Sequence, residues 1–180
     1  TDSIMIGDTT TGTIDAANYN VGLGVAVFAA LTTGDNNTGV GKGALNANTT
    51  GNNNTGVGRA ALANSTTASN NTAVGYFALI ANTTAYNNTA VGSGAMLNTT
   101  TGVNNTAVGG SALESNTTGY FNSALGQGAL ALNTIGIYNV AMGYQALLLN
   151  TTGSYNVGVG GNSLGATTTG GDNSALGNNS

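Results

Sequence analysis

The sequence predicts an all-β fold, a parallel β-solenoid or β-roll wound in 17-residue coils, and three observations carry that prediction. A glycine returns every seventeen residues at Gly7, Gly24, Gly41, Gly58, Gly75, Gly92, Gly109, Gly126, Gly143, Gly160 and Gly177. Large apolar, Asn and Thr columns run in step with it, without an insertion. The unit is also too short and too rich in Gly and Asn for the alternative, since a helical repeat needs about 33 residues of good helix formers.

Each copy is counted from the residue that aligns with Asn70, as in NNTAVGYFALIANTTAY (70–86). Residues 1–18 form a divergent first coil, a candidate cap, and residues 19–180 one continuous array of regular coils. Within a coil, N-T-A-V reads as one short strand, x-A-L-x as a second and N-T-T-G as a turn. Equivalent residues then stack about 4.8 Å apart, so eleven coils make a rod roughly 50 Å long.

Side chains alternate faces along a strand, so positions 3 and 5 share one face and positions 4 and 6 the other. The larger residues of position 5, Val40, Val57, Val74, Val91, Val108, Leu125 and Met142, are expected in the core. Position 10 adds Leu45, Leu62, Leu79, Leu113, Leu130 and Leu147 to it. The small residues at positions 4 and 6 are then left for solvent or another chain. On this assignment Val91→Asp frays the rod, whereas Ala90→Leu disturbs association more than folding.

Positions 5 and 10 cannot both point inward along one unbroken strand, so a bend is expected at the glycine column. Gly75, Gly92 and Gly109 either supply positive φ for that bend or lack Cβ because another backbone, from this chain or a neighbouring one, lies against them. Asn71, Asn88 and Asn105 at position 2, with Thr83, Thr100 and Thr117 at position 14, are expected to form hydrogen-bonded ladders along the axis.

Composition excludes several functions. Only 4% of residues are charged, and two of them, Lys42 and Arg59, are basic; phosphate binding by counterion release needs several on one face, so nucleic acid is not an expected partner. No apolar run approaches the roughly 18 residues of a membrane span, so no membrane insertion is expected. Without His or Cys, most nucleophile–base pairs and transition-metal sites are absent. Asp35, Glu114 and Asp172 fall at different repeat positions and form no glycosidase-like pair. No catalysis and no cofactor are expected. Asp2, Asp8 and Asp15 could grip an ion but read better as a polar end turn.

The run Gly39-Val-Gly-Lys-Gly43 lacks the Ser or Thr of a phosphate loop. The aromatics at position 1, Phe121, Tyr138 and Tyr155, read as ordinary stacking between coils, with sugar rings or another subunit as the alternative. N-x-[ST] sequons at Asn36, Asn48, Asn53, Asn70, Asn82 and elsewhere follow automatically from the repeated N-N-T and N-T-T.

The segment N-T-A-V-G-x-x-A-L at 71–79 and 88–96, with N-V-A-M-G-Y-Q-A-L at 139–147, resembles the repeats of trimeric autotransporter adhesin heads. It resembles still more the N-T-A-V-G-Y-Q-A-L…N-T-T-G repeats of phage tail fibres, which often precede an intramolecular chaperone of the endosialidase type. The resemblance implies a left-handed roll, three chains side by side, and a role as an extracellular shaft or adhesive head at a cell or virion surface, with a cell-surface glycan as one candidate partner. The last copy runs to Ser180 in register, and the chain is expected to be a segment of a longer protein or a subunit whose ends stack on its neighbours. Two rivals stand beside the fibre: a filament polymerised head to tail, and an ice-binding solenoid. The latter is disfavoured because pairs such as Thr83-Thr84 are adjacent and point to opposite faces.

Overall fold

The computed structural model describes residues 4–6 and 17–180. Eleven three-residue strands, β1 (Ile4–Ile6), β2 (Val21–Leu23), β3 (Thr38–Val40), β4 (Thr55–Val57), β5 (Thr72–Val74), β6 (Thr89–Val91), β7 (Thr106–Val108), β8 (Ser123–Leu125), β9 (Val140–Met142), β10 (Val157–Val159) and β11 (Ser174–Leu176), stand side by side in chain order in one parallel sheet. Register follows the repeat: Thr72 pairs with Thr89, Ala73 with Ala90 and Val74 with Val91. Nine complete coils (19–171) make up the parallel β-solenoid, and no helix occurs among the described residues. Most of the candidate cap at 1–18 (residues 1–3 and 7–16), with the carboxylates Asp2, Asp8 and Asp15, lies outside the described residues.

Each strand stops at the glycine column. Gly92 has φ of 136°, a conformation open to glycine because it has no Cβ. A Cβ built there would also meet the Gly109 carbonyl oxygen at 2.5 Å. Both expected reasons for the glycine therefore operate together, and the approaching backbone is the next coil of the same chain. Gly75 and Gly109 repeat this, with φ of 145° and 138°.

The x-A-L-x segment is not a second strand. Its first and third residues, Phe77 and Leu79 in one coil, have φ of 59° and 51°, left-handed values that no β-strand contains. The chain instead turns back on itself while its amides still reach neighbouring coils: Phe77 N–H donates to Arg59 O at 3.0 Å and Leu79 N–H to Ala95 O at 3.0 Å. A left-handed non-glycine residue costs about 1–2 kcal/mol. Full burial of a leucine contributes about 1.5–3 kcal/mol and offsets it: Leu45, Leu62, Leu79, Leu113, Leu130 and Leu147 are all fully buried.

The strand itself faces opposite to the expectation. Ala73, Ala90, Ala107, Ala124 and Ala141 at position 4 are buried in the core. Val40, Val57, Val91 and Val108 are only half-buried, and Val74, Leu125 and Met142 are 36%, 48% and 42% exposed. Alternation puts positions 3 and 5 on one side but does not say which side is inner. The leucine column decides it, because it already fills the interior and leaves room for a methyl group or a hydrogen. A Cβ on Gly56 would lie 3.3 Å from Leu45 Cγ, and one on Gly39 would lie 2.6 Å from Val27 Cγ1 and 3.3 Å from Phe28 Cζ.

Candidate functional surface

Two buried polar columns hold the coils in register. At position 2 the Asn88 side-chain oxygen accepts from Asn105 N–H at 2.9 Å and from Asn105 Nδ2 at 3.3 Å, while Asn88 Nδ2 donates to Gly102 O at 2.8 Å. Asn71 stands in the same relation to Asn88, its Oδ1 accepting from Asn88 N–H at 2.9 Å. These amides satisfy backbone groups that three-residue strands leave without a partner.

A second column, which the sequence reading took only for part of the turn, runs through position 13. Asn150 Nδ2 donates to Asn133 Oδ1 at 3.1 Å, and Asn133 Nδ2 to Asn116 Oδ1 at 3.0 Å. Asn48 and Asn82 also close their own turns, accepting from Gly51 N–H and Ala85 N–H at 3.0 Å. The signal was present, since position 13 is Asn, Ser or Thr from Asn48 to Thr167. Ser65 breaks the column: its hydroxyl oxygen is buried without a hydrogen-bond partner.

Thr100 and Thr117 form a different kind of ladder. Each hydroxyl donates to the backbone carbonyl of the next coil's threonine, Thr117 O at 3.2 Å and Thr134 O at 3.1 Å. Thr83 receives such a bond at its carbonyl from Thr66 Oγ1, also at 3.2 Å.

The outer face of the sheet is built from positions 3 and 5. Thr38, Thr55, Thr72, Thr89 and Thr106 stand there beside Val40, Val57, Val74, Val91 and Val108; both flanks are more apolar, with Val21 and Leu23 in β2 and Leu125, Val140, Met142, Val157 and Leu176 in β8–β11. No residue of β2–β11 is charged. A shallow depression beside Val157, Val159, Ser174 and Leu176 belongs to this same face.

At one border of the face, position 1 has positive φ throughout the described coils, from Tyr19 to Asp172. Asparagine tolerates that conformation best among non-glycine residues, which explains Asn36, Asn53, Asn70, Asn87 and Asn104. Phe121, Tyr138 and Tyr155 adopt it too and stack: Phe121 on Tyr138 with centroids 4.9 Å apart, Tyr138 on Tyr155 at 5.3 Å and 7°. The ring faces on which a sugar would lie are turned toward neighbouring rings. At the other border, Lys42 and Arg59 are exposed, and the Arg59 guanidinium lies 5.6 Å from the Tyr76 ring.

Chemistry-bearing groups stay apart. Among the described residues no three of Asp, Glu, His or Cys come together as a metal site would require, and no helix is long and apolar enough to cross a membrane. Asp35 is engaged with the backbone, its Oδ1 accepting from Asn18 N–H at 2.7 Å. The sequons divide between the two kinds of Asn: Asn36, Asn53, Asn70 and Asn87 are exposed, whereas Asn48, Asn82, Asn116 and Asn150 are buried. The chain matches no protein-family model, no curated protein and no solved structure.

Proposed function

We propose that the chain is a structural element of a protein fibre outside the cell, a shaft or adhesive head on a cell surface or virion, and that it does no catalysis. The observation that carries this reading is nine complete coils in unbroken 17-residue register, tied by buried Asn columns. Such an array grows in one dimension and its stability is close to a sum over coils and interfaces, which suits a spacer whose length and regularity matter. The resemblance of the N-T-A-V-G repeats adds the extracellular setting and a left-handed winding.

Immunogold labelling of the source cells or particles with antibody raised against the purified chain tests the setting. Label on surface appendages is expected; label confined to the cell interior overturns the reading. Electron microscopy of the purified chain separates a shaft segment, seen as discrete short rods, from a head-to-tail filament, seen as unbroken fibres.

A second reading has one specific observation in its favour. The outward rows of β3–β7 are Thr-x-Val, so a hydroxyl column and a methyl column repeat at strand spacing along the sheet, an arrangement suited to ordering water as ice does. These rows differ from the adjacent Thr pairs that argue against ice binding. Thermal hysteresis is the assay; none is expected if the fibre reading holds.

A further inference from the structure

We propose that the outer face of the strand sheet is the contact between two copies of this chain, packed sheet to sheet about a two-fold axis. This goes beyond the fibre reading and stands whether or not the chain is part of a fibre.

The face has the size such a contact needs. Strands rise about 3.3 Å per residue and stand about 4.8 Å apart, so ten three-residue strands present about 50 by 10 Å, on the order of 500 Å² per copy. Two such faces remove about 1,000 Å² from water, the threshold for a specific interface. The bordering Tyr19, Val25, Tyr76, Tyr138 and Tyr144, all exposed, widen it further.

The geometry points to a second copy rather than another protein. Ridges at positions 3 and 5 repeat at strand spacing along the whole sheet, and a partner fits between them over that length only if its own ridges have the same period. A stacked-strand array has it; a helix or an irregular surface does not. No charge lies on β2–β11, so the strand faces themselves meet without like-charge repulsion, with Lys42 and Arg59 at the border; stacked sheets pack about 10 Å apart with strands within about 30° of alignment.

Two copies, not three, follow from the count of faces. One self-complementary face closes a two-fold pair, whereas three chains around an axis each need two contact surfaces. Elsewhere the exposed aliphatic residues Leu132, Ile135 and Leu149 fall within two adjacent coils and do not run along the rod.

Sedimentation equilibrium of the purified chain is expected to give twice its 17.5 kDa mass. The chain has no cysteine, so Val91→Cys places a single thiol near the middle of the face. Mild oxidation is expected to convert most of that variant to a covalent dimer, while Thr84→Cys, exposed on the turn, stays uncrosslinked. The triple variant Val74→Lys, Val91→Lys, Val108→Lys is expected to sediment as a monomer with unchanged circular dichroism. A monomer or trimer mass for the unmodified chain, equal crosslinking of the two cysteine variants, or a triple variant that remains a folded dimer overturns the proposal.

Discussion

Ala90 and Val91 are neighbours in β6 and live in different worlds. Ala90 is fully buried against the leucine column; Val91 stands on the outer face and keeps part of its surface in water. The same contrast repeats in every complete coil. From β2 to β11 the inner wall admits only Ala or Gly, while the outer wall admits Val, Leu or Met as readily as Thr or Ser. Residue size on a strand therefore reports the room left by the opposite wall, not burial itself. A thin solenoid whose interior is filled from the turn segment inverts the usual rule that the larger side chain points in.

Leu79→Ala breaks the inner wall from the turn side. It empties the largest fully buried side chain of its coil, and a loss of about 2–5 kcal/mol is expected, read as a lower denaturant midpoint. Ala90→Leu breaks it from the strand side by adding atoms where a methyl just fits. A loss of about 1–3 kcal/mol is expected from overpacking, with the same measurement; a variant as stable as the parent would mean that the interior has slack.

Ser65→Asn sharpens the comparison by repairing a buried column rather than damaging one. Asn82 shows that asparagine fits this position with alanine at the end of its turn, accepting from Ala85 N–H at 3.0 Å. Giving the interior a partner for each polar atom there is expected to add about 1 kcal/mol. Val91→Asp, on the outer wall, is expected to change folding stability by less than about 1 kcal/mol in dilute solution, because the carboxylate reaches water. Thermal unfolding followed by circular dichroism checks both.

The register, the glycine corner, the leucine column and the position-2 asparagines were legible because each is a property of one residue repeated at a fixed interval. The position-13 column was harder to see, because Asn, Ser and Thr alternate there and N-T-T-G already had an explanation as a turn. Position 1 carried a readable sign as well: a run of Asn where the backbone is left-handed. The leucines at φ near 50° gave no such sign, since leucine is chosen there for burial and accepts the strained backbone as a consequence.

What the sequence by itself determined is the period, and with it the parallel in-register stacking, because identical residues every seventeen positions satisfy one another only when coils lie directly over coils. What the tertiary structure decided is the direction of the strand. Alternation has two equivalent solutions along a three-residue segment, and only the volume taken by Leu45, Leu62, Leu79 and their counterparts chooses between them. That choice turns Val74, Leu125 and Met142 outward and builds the outer face of the sheet.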